Sequence, residues 1–326
     1  MLPLSDPLWK KLDDAHRDRD IPALLSGLAE TWDDEEAKSL LWDCLCHQET
    51  CYGATYGAIP HLLKIAQPDG SRQQRLDIAL FVGFVARCAL VPSRRQSDEV
   101  DSDSLPGLPR TIEEWDRKLD CFRSLVAMFE DPNRTRSPYS HYEQAELLPR
   151  YRKLLALEPV HAGDLEKIGS IRADFFAALP AIRAVCERAL LENLHEEFAV
   201  LSLLGGIAAA DGLVDLACLF NFGADGRLQC SSCGRAYQYM LFGDRVAVYA
   251  DDERALRDYN DSAPSRSDGF IVPVGSGESP DTRITALLRL ADRAASTKPA
   301  LLLRNFLGTF HCCKCGTRAN IDALGL

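Results

Sequence analysis

Apolar residues recur at helical spacing along most of the first 210 residues. One stripe is formed by four residues that follow the acidic stretch 31–36: Leu40, Leu41, Cys44 and Leu45. Similar periodicity, broken by Pro, Gly or Asn, predicts further helices over residues 52–66, 72–90, 111–130, 141–157, 165–190 and 194–210. A Thr or Asp cap followed by carboxylates predicts helix starts in 31–36 and at Thr111.

Two of these helical segments share a pattern. Residues 56–66 align without a gap on residues 176–186, as aromatic, small, Ala, aliphatic, Pro, any residue and aliphatic. Such repetition is typical of helical pairs that stack on one another. The shared Pro60 and Pro180 are expected to bend their helices, because proline removes a backbone hydrogen bond. A chance match is the alternative, since Ala, Leu and Pro are common residues.

The pattern changes after Asp211. Apolar and polar residues alternate over 213–250, and the turn pairs Asp225-Gly226 and Gly243-Asp244 favour β-hairpins. A loop over 259–280 holds a short strand candidate at 270–272, a helix is predicted over 281–296, and the last residues return to β character. Earlier in the chain, the segment 92–110 is rich in Ser, Asp and Pro and predicts a linker.

Composition and charge narrow the class of protein. The 326 residues are 46% apolar and 26% charged, which is close to the globular average and allows two domains or one repeat array. The net charge of −11 argues against a general nucleic-acid coat protein and suits a basic partner. The longest uncharged stretch, 198–210, is too short for a spanning helix, and the first residues lack a signal-peptide pattern. We therefore expect a protein of the reducing cytoplasm that does not contact membranes.

Two Cys-x-x-Cys-Gly motifs carry the strongest chemical signal. The pairs Cys230/Cys233 and Cys312/Cys315 each present two thiolates, and the following Gly permits the tight turn that directs N–H groups toward sulfur. Together the motifs predict a tetrahedral all-sulfur Zn²⁺ site. Four thiolates close the coordination sphere, so the site is predicted to be structural and not catalytic.

The spacing of the motifs is the main objection to this interpretation. Between Cys233 and Cys312 lie 78 residues, whereas a compact zinc ribbon has about 15–20. An insertion between the halves of one ribbon resolves the difficulty, with the hairpin 236–250, the loop 259–280 and the helix 281–296 as the inserted part. A redox pair, a disulfide and buried free thiols are the alternatives. The redox pair lacks a βαβ context, and a disulfide is disfavoured in a reducing compartment.

A second group of possible ligands is less convincing: Cys44, Cys46, His47, Cys51 and His61. It contains no Cys-x-x-Cys motif, and free cysteine is readily buried as a small apolar residue, so buried thiols are favoured over a metal. The sequence also contains no Gly-rich phosphate loop, no nucleophile elbow and no His-Glu-x-x-His motif. No catalytic residue is therefore predicted, and the chain is expected not to be an enzyme.

Residues 41–62 run Leu-Trp-Asp-Cys-Leu-Cys-His-Gln-Glu-Thr-Cys-Tyr-Gly-Ala-Thr-Tyr-Gly-Ala-Ile-Pro-His-Leu. This stretch resembles bacterial HEAT-like helical-repeat proteins. In those proteins, a helix that ends in His-Gln is followed by a helix that ends in Ala-x-Pro-His-Leu. Some similar proteins carry a late Cys-x-x-Cys-Gly element. The linker 92–110 and the weak repetition outside the two Pro-containing helices depart from that pattern.

The resemblance and the patterns above imply a mostly α fold. A HEAT-like α-solenoid is expected over 1–212, with a flexible linker at about 92–110, and a smaller α+β zinc-ribbon-like module over 213–326. The resemblance also implies a binding protein without enzymatic activity, because such acidic helical arrays often resemble immunity proteins, which bind and neutralise a cognate bacterial toxin.

The distribution of charge suggests where a partner binds. Residues 1–60 contain 12 acidic and 5 basic side chains, whereas residues 281–326 contain 7 basic and 3 acidic ones. An acidic surface near the N-terminus could steer a basic toxin to the protein. The candidate contacts are Trp32, Asp33, Asp34, Glu35 and Glu36. Ordinary solvated helix faces are the alternative explanation.

A second functional hypothesis is a zinc-containing nucleic-acid-associated regulator or adaptor that uses its basic C-terminal helix. Arg283, Arg289 and Arg293 are irregularly spaced, so only part of one helix face is basic. This spacing and the net negative charge make nucleic acid the less favoured partner.

Overall fold

The computed structural model describes residues 1–16, 19–47, 50–66, 70–90, 105, 107–131, 147–214, 216–217, 225–275 and 281–323. Two compact units are distinguished: Met1–Phe81 with Asp103–Leu179, and Val82–Ser102 with Pro180–Leu326. The described chain is mostly helical and adds a small antiparallel sheet near the C-terminus, as the sequence predicts. Most of the predicted linker 92–110 lies outside the described residues.

Eleven α-helices occur in the described residues: α1 Ile21–Glu30, α2 Asp34–Lys38, α3 Gly53–Ile65, α4 Arg72–Leu90, α5 Ile112–Glu130, α6 Leu148–Leu155, α7 Ala162–Glu192, α8 Glu197–Ala210, α9 Asp252–Asp261, α10 Thr282–Ala291 and α11 Lys298–Phe306. A 3₁₀-helix spans Pro7–Lys10, and a π-helix spans Ser39–Leu45. None of the helices in this part of the chain combines the length and the apolar composition that crossing a bilayer requires.

Side-chain caps fix the starts of the helices that were predicted from acidic stretches. The Thr111 hydroxyl accepts the N–H of Glu114 at 3.1 Å, so α5 begins where its Thr predicts. In the stretch 31–36 the cap is Asp33, whose carboxylate accepts the N–H of Glu36 at 2.8 Å. The acidic side chains of the first turn of α2 therefore lie at the positive end of its helix dipole.

Both segments of the proposed repeat are helical. Residues 56–65 belong to α3 and residues 176–186 belong to α7, and each helix contains its proline in the interior. Within the first unit, the ring of Tyr56 packs edge-on against Phe175, with 5.3 Å between the ring centroids. This contact joins the start of one segment to the residue that precedes the other.

In the second unit, α4 and α8 approach each other closely at two glycines. A Cβ placed on Gly206 would lie 2.7 Å from the Cα of Gly83 and 3.3 Å from the Sγ of Cys186. Real Cβ atoms do not approach other atoms as closely as 2.7 Å, so a side chain at Gly206 would push the helices apart. The two glycines therefore set the distance between α4 and α8.

The C-terminal part of the second unit contains a six-stranded antiparallel sheet. Its strands are β3 Asp225–Cys230, β4 Ala236–Phe242, β5 Arg245–Tyr249, β6 Gly269–Phe270, β7 Thr309–His311 and β8 Arg318–Ala323. The strand order is β6-β5-β4-β3-β8-β7. The last two strands of the chain therefore extend the sheet beside β3, the first of its strands. A separate two-stranded hairpin, β1 Cys46–His47 and β2 Thr50–Cys51, lies in the first unit.

Part of the segment between the two Cys motifs is anchored on this sheet by one buried carboxylate. Asp258 of α9 is fully buried. Its carboxylate accepts hydrogen bonds from the hydroxyl of Tyr249 at 3.0 Å and from the backbone N–H of Arg266 at 2.7 Å. Burial alone would raise the pKa of Asp258, but these hydrogen bonds and the Arg266 guanidinium hold it below its ordinary value. The carboxylate is therefore charged at neutral pH and ties α9 to β5.

Three local predictions are wrong. Residues 214, 216 and 217, predicted to begin the β-hairpins, are helical. The helix predicted over 281–296 ends at Ala291, and the separate helix α11 follows, with Pro299 in its first turn, where a missing N–H costs no helical bond. The helix α9 was missed altogether, because its apolar residues are few and its start depends on the cap Asp251.

The close approach of α4 and α8 predicts that Gly206→Ala destabilises the protein by about 1–3 kcal/mol, because the added methyl group overpacks the contact. Urea unfolding followed by circular dichroism measures this loss. The matched control is Gly169→Ala in α7, where a Cβ meets no atom within 4 Å. That substitution is expected to stabilise the protein by about 0.5–1 kcal/mol. Equal effects of the two substitutions would contradict the packing described for Gly206.

Candidate metal centre

Each Cys-x-x-Cys-Gly motif forms the turn of a β-hairpin, between β3 and β4 and between β7 and β8. Two backbone hydrogen bonds close each turn. In the first, the N–H of Cys230 donates to the carbonyl oxygen of Arg235 at 2.9 Å, and the N–H of Gly234 donates to that of Cys230 at 2.8 Å. In the second, the N–H of Cys312 donates to the carbonyl oxygen of Thr317 at 3.0 Å, and the N–H of Gly316 donates to that of Cys312 at 2.9 Å. The glycines have φ angles of +67° and +69°, a conformation that other residues adopt only with strain. The two turns therefore have the same backbone hydrogen-bond pattern, and each needs its glycine.

The pairing of β3 with β8 brings the two turns together. Cys230, the last residue of β3, lies opposite Ile321 of β8 in the antiparallel register. Because β8 follows the second turn directly, this register places Cys312 and Cys315 beside the first turn. The 78 residues between the motifs do not separate their sulfurs.

The sulfur atoms of Cys230, Cys233, Cys312 and Cys315 all lie within 4.8 Å of one another. The Sγ of Cys230 lies 3.8 Å from that of Cys315, and the Sγ of Cys233 lies 3.6 Å from that of Cys312. Zn–S bonds of about 2.3 Å in a tetrahedron place the sulfurs about 3.8 Å apart. The four thiols therefore fit a single tetrahedral metal ion with small adjustments. All four predicted ligands converge as the sequence predicts.

The sulfurs differ in their environment. Cys230 and Cys312 are buried, Cys233 is half-buried and Cys315 is exposed. Burial opposes ionisation of Cys312, but the Tyr237 hydroxyl and backbone N–H groups outweigh it and lower the pKa of Cys312 to about 6. The N–H of Arg235 favours the thiolate of Cys233, yet burial and the neighbouring cysteines raise the pKa of Cys233 to about 11. Binding of a cation would displace the protons that remain on the four sulfurs.

Two hydroxyl groups outside the motifs contact the sulfurs. The hydroxyl of Tyr237 lies 3.1 Å from the Sγ of Cys312, and the Oγ1 of Thr317 lies 2.8 Å from the Sγ of Cys315. Hydrogen bonding from the hydroxyl and the N–H of Thr317 also lowers the pKa of Cys315. Sequence analysis missed both residues. Their positions near the motifs were visible, but only the hairpin geometry directs their hydroxyls at sulfur.

Among the described side chains, the second group of possible ligands does not assemble into a metal site. Cys44, Cys46 and Cys51 are buried, and Cys46 pairs with Cys51 across the short hairpin. The Nε2 of His61 lies 2.9 Å from the carbonyl oxygen of Leu2. The side chain of His47 lies outside what the structure describes. In the described part of the chain, three or more potential ligands meet only at the four C-terminal cysteines.

The candidate partner contacts lie at the start of α2 in the first unit. The indole N–H of Trp32 donates to Asp34 at 2.7 Å, and Asp33 caps the helix. Asp34, Glu35 and Glu36 are exposed. We call residues 33–36 the acidic turn. Burial raises the pKa of the neighbouring Asp77, and the negative charge of Asp34 adds to this rise.

The basic residues of the predicted C-terminal helix do not share one helix. Arg283 and Arg289 belong to α10, whereas Arg293 lies beyond its last residue, Ala291. Arg283 donates to the carboxylate of Asp281 at 2.6 Å and to the carbonyl oxygen of Asp211 at 2.9 Å. Its guanidinium is therefore engaged within the protein.

The sulfur geometry predicts that the purified protein contains one zinc ion per chain. Cys230→Ser and Cys315→Ser are each expected to reduce this content to near zero and to lower the melting temperature, because metal binding to four thiolates contributes about 10–16 kcal/mol. Elemental analysis and thermal unfolding, with and without a chelator, measure both effects. The control is Cys121→Ser, which alters an exposed thiol on α5 and should retain the metal. A wild-type protein without zinc would contradict the prediction.

No protein-family model, curated protein or solved structure matches the chain.

Proposed function

We propose that the protein is a non-enzymatic protein-binding protein with a structural zinc site, and that it acts as an immunity protein that neutralises a cognate bacterial toxin. The proposed structural zinc site is supported by the convergence of four cysteine sulfurs, which all lie within 4.8 Å of one another. Four thiolates fill a tetrahedral zinc ion completely, so no position remains for a reactive water or a substrate. The chemistry of the donor set favours a metal that stabilises the fold.

The residues that would hold the zinc are Cys230, Cys233, Cys312 and Cys315. The bound ion would neutralise their negative charge and link two hairpins that are distant in sequence. The strands β7 and β8 pair with each other over only three residues, so a metal bond at their turn would add substantially to what the backbone provides. The eleven cysteines in the described residues are free thiols, which supports a reducing compartment such as the bacterial cytoplasm.

The binding surface in this proposal is the acidic turn. Its four carboxylate residues are exposed. Asp33 caps the helix, and Asp34 accepts a hydrogen bond from the indole N–H of Trp32. Residues 1–60 carry seven more acidic than basic side chains. Such a surface attracts a basic protein at long range and accelerates association. A helical repeat that carries this surface is part of the proposal, and both Pro-containing segments of the repeat are helical.

Affinity capture from the native host tests this proposal. The immobilised protein is expected to retain a basic protein whose expression is toxic and whose toxicity is relieved by co-expression of this chain. Recovery of RNA polymerase or ribosomes without such a protein, or salt-dependent retention on DNA or RNA, would overturn the immunity role.

The surface is tested by a triple substitution, Asp34→Asn, Glu35→Gln and Glu36→Gln, which leaves the cap Asp33 intact. It is expected to weaken capture about tenfold at low salt, mainly through a slower association rate, and by less at high salt. A matched control removes three exposed charges elsewhere in the same unit: Asp116→Asn, Glu158→Gln and Glu166→Gln. If both triple variants bind alike in surface plasmon resonance, the acidic turn is not the contact surface.

A further inference from the structure

Tyr237 lies between the two halves of the candidate metal centre. It follows the first turn on β4 and pairs with Leu228 of β3. Its ring is 1% exposed and packs edge-on against Phe310, two residues before the second motif, with 5.1 Å between centroids. The sheet and this aromatic contact together fix where the phenol group points.

The hydroxyl of Tyr237 has three partners, all in the second motif. It accepts the backbone N–H of Cys313 at 3.0 Å. It lies 3.1 Å from the Sγ of Cys312 and 3.3 Å from the Sγ of Cys313. A phenol has one proton to donate, so the two sulfurs compete for it.

A bound metal ion would determine which of the two sulfurs accepts the hydrogen bond. Cys312 would then be a thiolate, whereas the exposed Cys313 lies outside the four-sulfur group. A hydrogen bond to a charged acceptor is about twice as strong as one between neutral groups, so the proton is directed to Cys312. The N–H of Cys313 holds the phenol oxygen from the other side and prevents it from turning away.

We propose that Tyr237 is a positioning residue of the metal centre, which holds the Sγ of Cys312 in place and slows release of the metal. This inference rests on the metal binding proposed above. A purely structural role, in which the ring only fills the core, predicts no effect of the hydroxyl on the metal. Hydrogen-bond partners of metal ligands in other proteins change affinity by about 10–100-fold.

The test compares Tyr237→Phe with Tyr249→Phe. Tyr249 is a matched control because it is a fully buried tyrosine of the adjacent strand, whose hydroxyl donates to Asp258 at 3.0 Å and contacts no sulfur. Each variant is loaded with Zn²⁺ to measure the rate of transfer to a chelator, and with Co²⁺ to record the sulfur-to-cobalt charge-transfer absorption. Urea unfolding of both loaded variants measures the general loss of stability.

Tyr237→Phe is expected to bind one metal ion, to release Zn²⁺ about tenfold faster than the wild type, and to shift the charge-transfer band to longer wavelength. The shift follows because a thiolate that loses a hydrogen bond gives up its electron density more easily. Tyr249→Phe should lose stability but leave the release rate and the band unchanged. If both variants release zinc at the same rate and neither band moves, Tyr237 is only a core residue and the inference is overturned.

A second measurement applies if Tyr237→Phe does not fold. Incorporation of 3-fluorotyrosine at position 237 keeps the ring and makes the hydroxyl a stronger donor. Slower zinc release and a shift of the band to shorter wavelength support the inference, and an unchanged band overturns it. A wild-type protein that binds neither Zn²⁺ nor Co²⁺ instead overturns the proposed metal site, so the two failures are distinguishable.

Discussion

The pairing of β3 with β8 is the constraint on which the candidate metal centre depends. Each motif by itself supplies two sulfurs, and a backbone turn of that kind forms from local sequence. Only the register that places Cys230 opposite Ile321 brings the second pair beside the first. The dependence is mutual, because β7 pairs with β8 over only three residues and would gain support from a metal bound at their turn. Sheet pairing and metal binding should therefore form and be lost together.

The two cysteines of the second motif lie in unlike surroundings, although both hairpins share one backbone hydrogen-bond pattern. Cys312 is buried beneath Tyr237, whereas Cys315 is exposed and its sulfur contacts the hydroxyl of Thr317. A hydrogen bond in the core is not exposed to competition from water, and one at the surface is. The hydrogen bond at Cys312 is thus protected from water, whereas the one at Cys315 faces solvent. Two cysteines of one motif acquire these different properties from residues outside it, Tyr237 on β4 and Thr317 immediately before β8.

The sequence predicted those parts of the structure that depend on local chemistry. The cap at Thr111, the helix with Pro60 and the four converging cysteines all follow from short patterns. Features that depend on distant contacts were missed. The helix α9 is polar and is anchored through the buried carboxylate of Asp258, which no periodicity reveals. The role of the Tyr237 hydroxyl likewise depends on a strand register across 76 positions of sequence.

The long separation of the motifs, which is unusual for a zinc ribbon, weighs little once it is expressed as free energy. Closing a flexible loop costs about 0.6 kcal/mol more for each doubling of its length. The 78 residues here are about two doublings beyond a typical ribbon spacing, which adds only about 1.2 kcal/mol. Binding of zinc by four thiolates contributes about 10–16 kcal/mol, so the penalty is small beside it. Part of it is also recovered because the inserted segment is itself ordered on the sheet through Asp258 and Tyr249. What decides whether the centre can form is thus the geometry at its two turns, and not the number of residues between them.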